Sequence, residues 1–234
     1  MLKKSALFTV LFIMITLFVR AQTGEEILDK SIKAAGGYET IKNIKTTIAH
    51  MSMNIQGMDL KMAVYFKKPA FRTETDMMGQ KMIMAFDGQK GWMTNVAQGG
   101  VTDLPEDAIK QMKEQAEISN NPLIQYKEPG AKIEKLGKEK VDEKTCFKLK
   151  LTNKNEESII VYIDSEDFLL RKVERTDNGN ASEIKLQDYR KVGDILVPYL
   201  YAIKAQGMDM ELKMDKFEVN PQVEDSLFAK PENK

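Results

Sequence analysis

The 234-residue chain has one cysteine, one histidine and one tryptophan. A lone Cys146 excludes an internal disulfide, and no second cysteine or lysine-rich helix start can be placed beside it to make a reactive thiolate. It reads as a partly buried strand residue. A single histidine, His50, on the polar parity of its strand, offers no acid–base or metal cluster. No G-x-S-x-G or H-E-x-x-H pattern occurs, and no pair of carboxylates stands out, so the chain is not expected to be an enzyme or to need a cofactor. An excess of positive charge is missing too. The 35 basic residues are matched by 35 acidic ones, which argues against nucleic acid as a partner.

What is present begins with an address. Lys3 and Lys4 precede an apolar run from Ala6 to Val19, and Val19-Arg20-Ala21 offers small residues at the two positions a signal peptidase inspects. Residues 1–21 are expected to be a secretory signal peptide, cut before Gln22. The apolar run is short for a membrane span, which takes about 20 residues, and no cysteine follows it to carry a lipid. An exported, soluble protein is the expectation, with residues 22–234 forming one domain. Removing Lys3, Lys4 and Arg20 lowers the basic count from 35 to 32 against 35 acids, a net charge of about −3.

Hydrophobic periodicity divides the remainder. Ile27, Leu28, Ile32 and Ala35 form a 3.6-residue stripe, with Gly36-Gly37 as a stop, so Glu25 to Ala35 is a predicted helix. Tyr38 to Ile44 adds a further turn. From Thr46 the period becomes 2. Ala49, Met51, Met53 and Ile55 share one face, and Met58, Leu60, Met62, Val64 and Phe66 alternate with polar residues after Gly57, predicting a hairpin. Phe71 to Met77 and Met82 to Phe86 continue the pattern, and Trp92 opens another strand. Pro105 and the acids after it mark a second helix, Glu106 to Ile118, followed by a short helical piece at Pro122 to Tyr126. Strands resume at Ile133 to Val141, Phe147 to Leu151, Ile159 to Ile163, Leu169 to Arg175, Ile184 to Tyr189, Ile195 to Gln206 and Met208 to Val219. About ten strands with helices only at the start and in the middle predict a mainly β domain.

Methionine is the unusual component: fifteen in the chain, nine of them between Met51 and Met93. Strand cores ordinarily use the stiffer Val and Ile. Unbranched, polarizable Met conforms to irregular apolar shapes and suits surfaces whose contents change. The Met-x-Met units 51–53, 82–84 and 208–210 each place two thioethers on one face, so a Cu(I)-binding protein is an alternative. Against it, every Met shares its face with Ile, Leu, Val or Phe, and no metal site is expected.

Tyr65-Phe-Lys-Lys-Pro-Ala-Phe-Arg72, followed by Met82-Ile-Met-Ala-Phe-Asp-Gly-Gln-Lys-Gly-Trp92, resembles the signature of LolA-type periplasmic carriers and outer-membrane lipoprotein-sorting proteins. Val161-Tyr-Ile-Asp-Ser-Glu-Asp-Phe-Leu-Leu-Arg-Lys172 and Asp225-Ser-Leu-Phe228 are similar to that family's later strand–turn–strand and closing segment. The resemblance implies an incomplete antiparallel β-barrel covered by a helical lid, with space between them for the acyl chains of a lipoprotein. It implies an inner-membrane donor, an outer-membrane acceptor and a monomeric shuttle without covalent chemistry. A periplasmic sensor of lipid or mislocalised lipoprotein is the alternative within the same fold. The expected lipid-binding residues are Met51, Met53, Met62, Met82, Met84, Phe86 and Trp92, with Ile109 and Met112 from the lid. Lys68 stands where the family typically has a lid-contacting arginine.

Overall fold

The computed structural model describes residues 22–55, 58–77, 79–94, 99–109, 122–177 and 179–231. Thirteen strands form one antiparallel sheet: β1 Thr46–Ile55, β2 Met58–Lys67, β3 Ala70–Met77, β4 Gln80–Phe86, β5 Gly91–Thr94, β6 Val101–Asp103, β7 Lys132–Val141, β8 Lys144–Thr152, β9 Ser158–Asp164, β10 Leu170–Asp177, β11 Asn180–Val192, β12 Ile195–Ala205 and β13 Met208–Val219. Two helices, α1 (Gly24–Ala34) and α2 (Tyr38–Lys42), precede it. The expectation of a mainly β chain holds, with three more strands than the roughly ten predicted. β6, at three residues, is too short to display a period of 2.

The strand order is β6-β5-β4-β3-β2-β1-β13-β12-β11-β10-β9-β8-β7. Two meanders of sequential hairpins therefore lie side by side, joined where β1 pairs with β13, and among the described residues β6 and β7 end the sheet. Such connectivity follows from turn chemistry between alternating runs. At the β4–β5 turn, for example, Asp87 Oδ1 accepts from the backbone N–H groups of Gln89 (2.8 Å) and Lys90 (2.7 Å).

α1 opens with a capping box. Thr23 Oγ1 accepts from Glu26 N, and the Glu26 carboxylate accepts from Thr23 N, both at 3.2 Å, satisfying two of the free N–H groups at the helix start. Ile27, Leu28 and Ile32 are buried, as the stripe predicted. The helix ends where a backbone passes too close for any side chain: a Cβ on Gly36 would lie 2.7 Å from Asp194 O, and its φ is +129°. There Leu196 N donates to Ala35 O at 3.0 Å.

These contacts reveal the curvature of the sheet. The start of α1 touches β7, where a Cβ on Gly24 would lie 2.7 Å from Ile133 Cγ2. Its end touches β12. Eleven helical residues span about 16 Å, whereas five strand spacings in a flat sheet span about 24 Å. The β7–β12 region therefore curls around the helices, as twisted sheets of this width do.

The main core lies inside that curl. Ile27, Leu28, Ile32, Ile41 and Ile44 pack on Phe147, Leu149, Leu151, Val161, Ile163, Leu186 and Val197. We call this helix-facing side of the sheet the inner face. Of the predicted helix Glu106 to Ile118, residues 106–109 are helical and the rest lies outside the described residues. Pro122 to Tyr126 gives a single 3-10 turn at Ile124–Lys127.

Candidate functional site

Where the sheet curls, the core is not filled. A cavity of about 900 Å3 lies among α1, α2, the 3-10 turn and the inner face of β9–β13. Its wall includes Ile41, Leu123, Tyr126, Ile159, Leu170, Val173, Ile184, Leu186, Tyr189, Val197, Tyr201 and Phe217. Most of its polar residues, Asn153, Asn155, Glu156, Glu157, Ser158, Glu174, Arg175, Thr176 and Ser182, come from the β8–β9 and β10–β11 turns and the strand ends beside them, with Ser31 and Gln125 added by α1 and the 3-10 turn. In adjacent antiparallel hairpins those turns fall at one end of the sheet, so apolar wall and polar rim are segregated.

Three tyrosines line the wall and all are neutral. Burial pushes the Tyr126 phenol up to about 12, with nearby Arg175 opposing the shift and Glu157 adding to it. Burial alone takes Tyr201 to about 12. Tyr189 is shifted up further, by burial and then by Tyr201, and its hydroxyl donates to Leu170 O at 2.6 Å. At the rim, Asn153 organises the β8–β9 turn. Its Oδ1 accepts from Asn155 N (2.9 Å) and Glu157 N (3.0 Å), and its amide nitrogen donates to Glu157 Oε2 at 2.8 Å. Apolar volume with a few fixed polar groups at one end can hold a chain-like apolar ligand and orient its head.

The residues expected to bind lipid lie elsewhere on the sheet. Cross-strand partners share a face, so register locates them. Phe217, on the inner face, is opposite Ala49, and the row runs on through Val64, Thr73, Met84 and Met93. The next inner row is Met214, Met51, Met62, Thr75 and Met82. Met53 lies one step farther along, between Leu212 and Leu60. Met51, Met53, Met62, Met82 and Met84 therefore share the inner face with the cavity wall. They are half-buried, and none of them lines the cavity.

Phe86, fully buried, belongs to a packed cluster with Phe66, Phe71 and Leu104, against which Met84, Met93 and Ile109 lie. A Cβ on Gly91 would come within 2.9 Å of Leu104 and 3.1 Å of Ile109, so glycine there admits both. Met112 lies outside the described residues.

Trp92 is on the opposite side. Ile48, Tyr65, Arg72, Ala85, Trp92 and Asp103 form one cross-strand row on the outer face, and the C-terminal segment straps across it. Trp92 Nε1 donates to Phe228 O (2.9 Å), Arg72 Nη1 to Leu227 O (2.7 Å), and Lys230 pairs with Asp103 (2.7 Å). Lys68 is exposed in the β2–β3 turn, its N–H donating to Lys45 O at 3.4 Å. The neighbouring Lys67 fastens the strap instead, reaching Val223 O (2.7 Å) and Asp225 (2.6 Å).

The cavity wall escaped the sequence reading. Its Ile, Val, Leu and Tyr residues alternate as any sheet core does, and nothing in the alternation separates residues that meet a void from residues that meet side chains. Elsewhere, Cys146 is buried on the outer face beside Val141 and Tyr162, and burial followed by nearby Asp164 pushes its thiol up to about 11. Among the described residues no group of His, Cys, Asp and Glu is placed to hold a metal, and no helix is long and apolar enough to cross a membrane.

Comparison with known proteins accords with this architecture. A LolA superfamily protein from Nitrosomonas europaea has the same fold, with a TM-score of 0.58 at 12% identity, covering 90% of this chain and 99% of that one. A putative outer membrane lipoprotein-sorting protein domain from Vibrio parahaemolyticus gives 0.55 at 17% identity, covering 87% and 97%. A DUF1329 family protein from Desulfovibrio piger gives 0.60 at 11% identity, covering 89% and 98%. No curated protein matches the chain by sequence. A family model described as "uncharacterized protein"-like matches residues 58–232. The chain belongs to the family of that model, which takes in well over half of its length, and its fold is of the LolA type.

Proposed function

We propose that this protein is an exported periplasmic carrier that shelters acyl chains, those of a lipoprotein or a related lipid, and passes them toward the outer membrane without covalent chemistry. The observation that carries the reading is the cavity of about 900 Å3, apolar along its wall and polar at one end. Its size falls near the upper end of the roughly 300–1,000 Å3 typical of ligand pockets. Each methylene moved from water into such a site gains about 0.8 kcal/mol, so a long chain gains on the order of 10 kcal/mol before ordering costs. Residues 1–21 would direct export, leaving 22–234 as the carrier domain.

The half-buried rows of Met51, Met53, Met62, Met82 and Met84 lie on the face that continues from the cavity wall. They would extend the apolar path for a second or longer chain, and adaptable thioethers suit contents that must be released. The row Met214–Met51–Met62 also sets three soft ligands on neighbouring strands. That favours a second reading, Cu(I) binding, which metal analysis of protein from copper-supplemented cultures would test.

Native mass spectrometry of the purified protein tests the carrier reading. Co-purifying amphiphiles are expected, lost or strongly reduced in Val197→Trp, which fills the cavity. A folded protein that carries no lipid and takes up none from acyl-lipid micelles would overturn it.

A further inference from the structure

The rim of the cavity says what kind of head its ligand carries. Two carboxylates stand there, and both have local partners. Glu157 accepts from Asn153 at 2.8 Å, and Glu156 lies 3.0 Å from Lys132 on the outside of the sheet. Glu174 is turned away, toward Lys172 (2.6 Å) and Tyr162 (3.0 Å). Among the described residues the lining has one cation, Arg175, which already takes part in interactions of its own. Below the rim come neutral phenols, one of them committed to Leu170 O. An anionic head would meet Glu156 and Glu157 beside the already engaged Arg175 at the rim, and tyrosine and aliphatic carbon below it, and a charge brought out of water without a partner of its own is disfavoured. An uncharged head meets groups suited to it: the amide of Asn155, the Gln125 amide oxygen, whose nitrogen donates to Pro122 O (3.3 Å), and the oxygens of Ser158, 2.9 Å from Thr152 Oγ1, and Ser182, which donates to Arg175 O (3.5 Å), each with a lone pair left to accept.

We propose that the cavity selects amphiphiles with an uncharged polar head, an acyl ester or amide, over those ending in a free carboxylate or phosphate. This rests on the carrier reading and names the class of ligand it takes. Monopalmitoylglycerol and palmitate, which share one chain and differ in the head, are the probes, each competing with a fluorescent acyl reporter on the purified protein in mildly alkaline buffer. The ester is expected to bind about tenfold tighter or more, a difference of about 1.4 kcal/mol. Glu157→Lys places a cation at the rim and is expected to raise palmitate affinity about tenfold while leaving the ester within about twofold. Thr176→Lys serves the same purpose on the other turn should Glu157→Lys unfold. Palmitate binding as tightly as the ester to the unaltered protein, or no response of palmitate to either lysine, would overturn the selection. Failure of the folded protein to bind either probe would overturn the carrier reading instead.

Discussion

The two halves of the sheet are built alike and packed differently. In both, hairpins follow one another in sequence and one face is apolar. On the β7–β13 side that face curls around α1 and α2 and leaves about 900 Å3 unfilled. On the β1–β6 side, Phe66, Phe71 and Phe86 pack together in one cross-strand row, closed by Leu104 and Ile109, and the opposite face is covered by the C-terminal strap. The lesson is that an apolar strand face specifies burial, while the shape of what lies opposite decides whether that burial is a core or a container. Large aromatic rings on neighbouring strands meet and exclude space. Aliphatic and tyrosine side chains around a helix-spanned curl do not close it.

That contrast can be broken from either side. Phe86→Ala removes a fully buried ring from the filled half and should cost about 3–5 kcal/mol of stability, read by urea unfolding, with ligand affinity of the remaining folded protein nearly unchanged. Val197→Trp acts on the hollow half. It should reduce affinity for a fluorescent acyl probe about a hundredfold, or about 2.7 kcal/mol, and leave the urea midpoint near that of the parent. Equal effects of both substitutions on binding and stability would erase the distinction between the halves.

Alkaline titration sharpens it. The phenols of Tyr126 and Tyr201 are shifted up to about 12 by burial. A folded-state value raised above the unfolded one, near 10, gives stability that is whole below pH 10 and is lost as pH rises toward 12. Tyrosinate absorbance should therefore develop late and together with loss of structure, and Tyr126→Phe/Tyr201→Phe should remove much of the late phase. Normal titration of every tyrosine in the folded protein would contradict this. Smaller still, Trp92→Phe removes one hydrogen bond to the strap and should cost about 1 kcal/mol, measured in the same unfolding experiment. Met62→Ala should weaken binding only about three- to tenfold if the methionine rows extend the acyl path, since roughly half of a buried methionine's 1.5–3 kcal/mol contribution is at stake for a half-buried side chain. No change there would confine the ligand to the helix-covered half.

Much of the fold was legible because periodicity is a local property. The alternation from Thr46 to Phe66 placed Met51, Met53, Met62 and Phe66 on one face, and the register agrees. The stripe of α1 was likewise readable, although its start fell one residue earlier, at Gly24, where the Thr23 cap sets it. Trp92 was not. Phe86 pairs with Gly91 across the β4–β5 turn, so Trp92 pairs with Ala85 and faces away from Phe86, a reversal that turn length decides and alternation within each strand cannot reveal. The cavity was illegible for another reason. Its location depends on which strands the helices span, a relation between Gly24 and Ile133 and between Ala35 and Leu196 that lies far outside any sequence window. Methionine drew attention by its rarity in strands, while the ordinary residues around the void carried no mark.

The most direct measurement is photo-crosslinking with an acyl ester that bears a diazirine near the chain end, mapped by peptide mass spectrometry on the folded protein. If the hollow between α1, α2 and β9–β13 holds the chain, label falls on peptides containing Tyr126, Leu186, Val197 or Tyr201. Label confined to the outer face around Trp92, or scattered over the surface without saturation, would contradict it.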